Sequence, residues 1–195
     1  MSRTNLWQIT MTIFNVIQDT KDDVEILKSS CAEWDFQNPF TDALQFAKDM
    51  IETMYHYNGL GLAANQVSKS WRVFVLRGTE KVGNFACFNP RIVNFSQEII
   101  LLEESCLSFP GVVVKIKRPR HVRLRFQTPD GQMHTNQFTG MTARVVQHEM
   151  DHLNGVLFFS HANKYHRDLG FKNRKKYEDR TMEISSFNIF KKNTD

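Results

Sequence analysis

Two histidines four residues apart, His148 and His152, with Glu149 directly after the first, constrain this chain more than any other feature. Both imidazoles can grip one metal ion only if the segment is an α-helix, where residues four apart lie one turn apart on one face. At ~100° per residue, Glu149 projects about 60° round the axis from His152 and leans over the same ion. A metal so held brings the pKa of a water toward neutrality. A carboxylate beside it can take the proton and later pass it to a leaving amine. The plain alternative is two ordinary histidines on a helix face, and the glutamate between them argues against it. Asp151 reads as a solvated acid. The helix should begin near Thr139 and end at Gly155, with Val145, Val146, Met150 and Leu153 available for burial.

Upstream, Asn38 can cap a second helix, Pro39 suits its first turn and Gly59 its exit. Between them Phe40, Ala43, Leu44, Ala47, Met50, Ile51 and Met54 form an apolar stripe at helical spacing, which reads as core. Strand signals follow at Trp71 to Leu76, Ile92 to Phe95, Ile99 to Leu102 and Val112 to Ile116. Val122, Leu124 and Phe126 alternate with His121, Arg123 and Arg125, as in a half-buried strand. Pro129-Asp130-Gly131 makes a turn, since Pro fixes φ and Gly supplies positive φ, and Met133 to Phe138 returns as the hairpin partner. The order helix, strands, helix predicts an α+β fold with mostly antiparallel sheets around the central metal-binding helix.

With 195 residues, 41% of them hydrophobic, the chain can bury one full core without needing two. We expect a single catalytic domain over residues 1–163 and a basic C-terminal extension over 164–195. No apolar run is long enough to cross a bilayer. Met1 to Phe14 lacks the continuous apolar stretch of a signal peptide. Three cysteines, Cys31, Cys87 and Cys106, build no disulfide framework and fit a reducing compartment such as the cytoplasm. The net charge is +4, and Lys164 to Arg180 alone holds seven Lys/Arg against three acids. That segment reads as one polar helix, serving either an anionic partner or solvent. A short strand-like piece follows around Ile184 to Phe190.

A catalytic site needs a third ligand and one position left open. Glu104-Ser105-Cys106-Leu107-Ser108 offers Cys106, whose thiolate would bind a divalent metal strongly. Cys31 and Cys87 read as buried apolar filler. Gly59-Leu60-Gly61-Leu62-Ala63-Ala64-Asn65-Gln66 lets a ligand backbone approach closely, and the Gln66 amide can donate to a developing oxyanion. This Gly-x-Gly follows a helix, not a strand, so it is no dinucleotide fingerprint.

Taken together, these three segments resemble the signature motifs of the peptide deformylases, in order and in spacing. Gly59 to Gln66 matches Gly-apolar-Gly-apolar-Ala-Ala-x-Gln. Glu104, Cys106, Leu107 and Ser108 match Glu-Gly-Cys-Leu-Ser, and Gln147 to Leu153 matches Gln-His-Glu-x-Asp-His-Leu. The likeness runs from about Ile13 to Phe158. Ser105 departs from the usual glycine, the Val16–Ser30 segment lacks the proline often found there, and the tail beyond Phe159 carries no clear match to the family. The resemblance implies the deformylase fold, with Cys106, His148 and His152 as metal ligands and Glu149 as general base and then acid. It implies that Gln66 and the Leu107 N–H stabilise the oxyanion, and that Gly61 hydrogen-bonds the substrate. Leu60, Leu102, Met141 and Val145 match the methionine pocket, with plain core as the other reading of each. The implied reaction removes the formyl group from the N-terminal formyl-methionine of nascent polypeptides. The implied cofactor is one divalent ion, Fe²⁺ by preference, with Zn²⁺, Ni²⁺ or Co²⁺ able to use the same ligands. The basic tail suggests a ribosome contact, and neither membrane nor DNA is expected as a partner. The rival readings are a His-Glu-x-x-His zinc endopeptidase, with Glu178 or Glu183 as third ligand, and a catalytically silent homologue.

Overall fold

The computed structural model describes residues 11–78 and 83–176. Three helices, α1 (Lys21–Leu27), α2 (Ala43–His56) and α3 (Gly140–Leu153), accompany seven strands. A fourth helical stretch, α4, covers 164–176. Strands β1 (Gly61–Ala63), β2 (Val73–Leu76), β3 (Phe85–Phe95), β6 (His121–Gln127) and β7 (Met133–Thr139) form one antiparallel sheet in that spatial order. Strands β4 (Ile99–Cys106) and β5 (Phe109–Pro119) pair separately as a hairpin inserted between β3 and β6. The fold is α+β, as expected.

Helix α3 runs through the centre. Ala143, Val146, Met150 and Leu153 pack on Phe74, Cys87, Leu124 and Phe126 of the large sheet. Its opposite side, with His148, Glu149 and His152, is also buried. A helix hydrophobic on one side only would leave that second side in water, so these polar groups are enclosed for a reason other than propensity. Val145 is only partly buried. The alternation seen in the β6 sequence holds, with Val122, Leu124 and Phe126 inward and Arg123 and Arg125 outward. Gly131 takes φ +80° in the turn to β7, and β7 returns in register, Gln127 opposite Met133.

Other expectations need correction. Helix α2 starts at Ala43, not at Pro39. Asp42 is its N-cap, accepting from the Gln45 N–H at 2.6 Å, which satisfies an orphan amide that Asn38 lies too far upstream to reach. Phe40 and Leu44 leave the core stripe. Phe40 is 83% exposed and stacks on Trp71, and Leu44 is 53% exposed. The stripe retains Ala47, Met50 and Met54, packed with Trp34, Phe46 and Phe88. Three of the strands are longer than their apolar runs, because β3, β4 and β5 continue through polar residues that face solvent or the site. The segment whose path was open forms α1, capped by the Thr20 hydroxyl. The strand-like piece at 184–190 lies outside the described residues. No helix among those described is long and apolar enough to cross a membrane.

Candidate active site

Three elements bring the chemistry together. Cys106 ends β4, where a register shift between Glu104 and Cys106 bends the strand. His148 and His152 lie one turn apart on α3, rings 5.1 Å between centroids. The Sγ of Cys106 sits 3.2 Å from His152 Nε2. One ligand atom from each of Cys106, His148 and His152 lies within 4.8 Å of the others, and all three residues are buried. His148 turns Nδ1 to Glu104 Oε2 at 3.1 Å, which leaves its Nε2 for the site. Burial, then the neighbouring His148, holds the His152 imidazole well below the usual histidine range. In His148 burial also pulls downward, but hydrogen bonds with Cys106 and Glu104 outweigh it and raise the ring. A thiol and two imidazoles sharing protons at this separation fit a divalent transition metal, which would displace those protons on binding.

Glu149 is 3% exposed, and its Oε2 has no hydrogen-bond partner. Burial pushes its carboxyl up to about 7, against the lowering pull of His148. Gly61 faces it across the site. A Cβ built on Gly61 would lie 2.5 Å from Glu149 Oε1 and 2.7 Å from Val145 Cγ1, so only glycine lets β1 come this close. Gln66, in the 3-10 turn Ala64–Val67 that follows β1, holds its Oε1 on the Ala63 N–H at 2.9 Å. Its Nε2 then points to Ser108 Oγ at 3.1 Å and Cys106 Sγ at 3.5 Å. The same turn supplies Asn65, whose Nδ2 donates to the His152 carbonyl at 2.6 Å and ties the turn to α3.

Gly61, Gln66, Cys106, His148 and Glu149 line one cavity of about 460 Å³, with His152 buried behind them. Leu60, Met141 and Val145 form its apolar wall, and Leu107 and Ser105 its other side. Leu60 and Met141 are 51% and 54% exposed, so neither is plain core. Leu102 differs: it pairs with Ile116 on the hairpin and does not line this cavity. Ser105 lines the cavity without a left-handed backbone. A Cβ is therefore tolerated there.

The sequence reading missed a charge network behind the site. Glu104 accepts from Arg118 Nε at 2.6 Å and Nη2 at 2.9 Å, and from Arg144 Nη1 at 2.7 Å. Arg118 also pairs with Asp151 at 2.8 Å, and His161 reaches Asp151 at 3.0 Å. Asp151 is thus a largely buried partner of Arg118 and not a solvated acid. Burial alone would raise the Glu104 carboxyl, but hydrogen bonds from His148 and Arg118 and the Arg118 charge hold it well below the usual carboxylate range. Anionic Glu104 fixes the tautomer and ring angle of His148, the usual task of a carboxylate behind a ligating histidine. Cys31 and Cys87 are buried, and burial pushes the Cys31 thiol up to about 11 and the Cys87 thiol well above its ordinary value. Both are inert filler, as expected.

Residues 15–168 match the family model described as polypeptide deformylase. The chain belongs to that family. A peptide deformylase of Wolbachia pipientis from Culex pipiens is 37% identical over 143 residues, spanning 68% of this chain and 80% of that one. The Thermotoga neapolitana deformylase is 51% identical over 110 residues, 55% of this chain and 65% of its own. A class I type b deformylase of Acinetobacter baumannii, solved with Met-Ala-Ser bound, superposes with TM-score 0.70 at 35% identity, covering 78% of this chain and 99% of that one. A Synechococcus elongatus deformylase in complex with actinonin gives 0.74 at 26% identity, over 90% and 91%. This deformylase is accordingly a hydrolase acting in N-terminal deformylation, and the endopeptidase reading is not favoured. The family depends on a metal, and among the described residues the Cys106, His148 and His152 cluster is a group that could hold one.

Proposed function

We propose that this site hydrolyses the formyl group from the N-terminal formyl-methionine of nascent polypeptides, with the following division of labour. Cys106, His148 and His152 hold the ion, and Fe²⁺ is the native one. Bound there, a divalent metal supplies Lewis acidity to water and to the formyl oxygen. Glu149 takes a proton from the attacking water. A carboxyl poised near neutrality is suited both to accept that proton and to return it to the leaving amine. Gln66 Nε2, aimed past Cys106, and the Leu107 N–H donate to the oxyanion as water adds to the formyl carbon. Gly61 hydrogen-bonds the substrate at its formyl end, where its missing Cβ leaves room beside Glu149. The methionine side chain lies along Leu60, Met141 and Val145, an apolar wall that an unbranched thioether can follow. The products are formate and a free amine.

The observation that carries this reading is the unpartnered, buried Glu149 Oε2 beside a Cys-His-His donor set in an apolar-walled cavity. Anaerobically prepared, Fe²⁺-loaded protein should release formate from formyl-Met-Ala-Ser, and Glu149→Gln should keep its metal and release none. Metal-loaded, folded wild type that yields no formate would sink the proposal. Iron as the native ion adds that activity decays in air through oxidation of iron or Cys106, and stable aerobic activity of an iron-loaded sample would count against it. The basic stretch Lys164 to Arg180 is the ribosome-facing element, and its contact with ribosomal RNA should weaken steeply with salt. Sedimentation with ribosomes that ignores salt would remove that part. Its place is the cytoplasm, where nascent chains emerge.

A further inference from the structure

Helix α4 begins within the segment matched by the family but continues eight residues past it, to 176. It is anchored to the hairpin that carries Cys106. A Cβ on Gly170 would lie 2.6 Å from the Val113 carbonyl oxygen and 2.7 Å from Val114 Cγ1, so glycine lets the helix rest directly on β5. Phe171 meets Phe159 edge to face at 5.2 Å. Arg174 lies over Gly111, and its guanidinium grips the Asp19 carboxylate through both oxygens. These contacts hold one side of the helix down. The neighbouring side presents Tyr165, His166, Leu169 and Asn173 to a second cavity of about 250 Å³, whose floor is Glu103, Val113 and Lys115 on the outer face of the hairpin.

Two observations connect this second cavity to substrate. Glu103 lines both it and the active-site cavity, so the two adjoin on one strand. Gly111, beneath Arg174, also lines the active-site cavity, so α4 stands at its rim. Second, Tyr165 at 70%, Leu169 at 39% and Val113 at 46% exposure place three large apolar side chains around one small hollow. Apolar surface clustered at the mouth of a cleft marks contact with a ligand better than single exposed residues do.

We infer that α4 and the outer face of β4–β5 form a downstream subsite that binds an aliphatic or aromatic side chain beyond the second residue of the formylated peptide. This rests on the deformylase reading above. A peptide whose formyl end lies at Glu149 and whose methionine follows the Leu60 and Met141 wall has its remaining residues outside the first cavity, and Glu103 is the edge over which they pass. Tyr165 and Leu169, four apart on α4, lie one above the other and offer a continuous apolar strip for that side chain. Selection among nascent chains would then depend on their third or fourth residue as well as on methionine.

The test compares kcat/KM for formyl-Met-Ala and formyl-Met-Ala-Leu-Phe, using the full-length, metal-loaded protein. Wild type should favour the longer peptide by about tenfold, the scale of one apolar contact in a pocket. A Tyr165→Ala/Leu169→Ala double variant should lose that preference through KM of the longer peptide. Both side chains are exposed, so folding is not at stake. Preference retained in the variant would overturn the inference. So would an equal fall on both peptides, which would mean that α4 acts on the structure of the site instead. No formate from either peptide with wild type would remove the deformylase reading and the subsite with it.

Discussion

Replacing Arg118 by methionine tests the claim that the charge network behind His148 holds the site in shape. Arg118 is 5% exposed and gives two hydrogen bonds to Glu104 and one ion pair to Asp151. Removing it strands two buried carboxylates. Breaking a buried pair from one side costs about 3–5 kcal/mol, because the remaining charge is desolvated without compensation. Arg144 still donates to Glu104 at 2.7 Å, and His161 still faces Asp151, so the lower end, about 3 kcal/mol, is expected. For a chain of this size that is roughly 6–12 °C in Tm. The sign with pH follows from the Glu104 carboxyl, which is held below its ordinary range. A depressed carboxyl contributes stability in full above its unfolded value, about 4.3, and loses it as pH falls toward the folded value. The gap between wild type and Arg118→Met should therefore be full at pH 7 and shrink below about pH 4. Through Glu104 the change also frees His148, and metal affinity should fall about 10–100-fold in a chelator competition. A Tm loss under about 2 °C with unchanged affinity would refute the reasoning.

Three other perturbations have defined outcomes. Gly61→Ala drives a methyl into Glu149 and Val145 and should cut kcat about 100-fold while the fold and metal content persist; activity within a few-fold of wild type would mean that β1 yields easily. Ser105→Gly should leave formate release nearly unchanged, since the Ser105 backbone is not left-handed, and a large gain would show that the hydroxyl hinders substrate. Glu149→Gln, the acid/base control above, should also raise the stability of metal-free protein at pH 8. There the buried carboxylate is charged at a cost of about 3 kcal/mol for a shift from 4.5 to about 7, a cost absent below the unfolded value.

Much of this was legible in the chain because each signal had one physical reading. His148 and His152 demand a helix, and the helix is there. The β6 alternation and the Pro129-Asp130-Gly131 turn specify a hairpin without tertiary help. The boundaries of α2 were harder: Phe40 and Leu44 fit the helical period, but period says nothing about whether the rest of the protein reaches that face. The buried network was written in the same code but overlooked. Val112, Val114 and Ile116 alternate inward on β5, and the next inward place is Arg118, a charge in a core register. Such a residue needs a buried counter-charge, and Glu104, two places before Cys106, was the candidate. Leu102 was carried over from the likeness alone, and it is not among the residues that line the cavity. The basic tail was visible as charge, yet its docking depends on Gly170, whose lack of a side chain gives no periodic signal.

The insertion of the β4–β5 hairpin between two paired strands has a consequence for how the molecule assembles. The hairpin pairs residues close in sequence, from Cys106 with Phe109 out to Ile99 with Pro119. The large sheet must instead close β3 onto β6 across the whole insertion. Local pairings form early and distant ones late. Cys106 rides on the early piece, while His148 and His152 ride on α3, which must dock against the late one. A metal joining them would add a latch to the contacts of Glu104 with His148 and Arg144, and of Arg118 with Asp151, that already tie the hairpin to α3. Stripping it should let amide protons of β4 and β5 exchange by opening of the hairpin alone, while those of Val122 and Leu124 still wait for global unfolding.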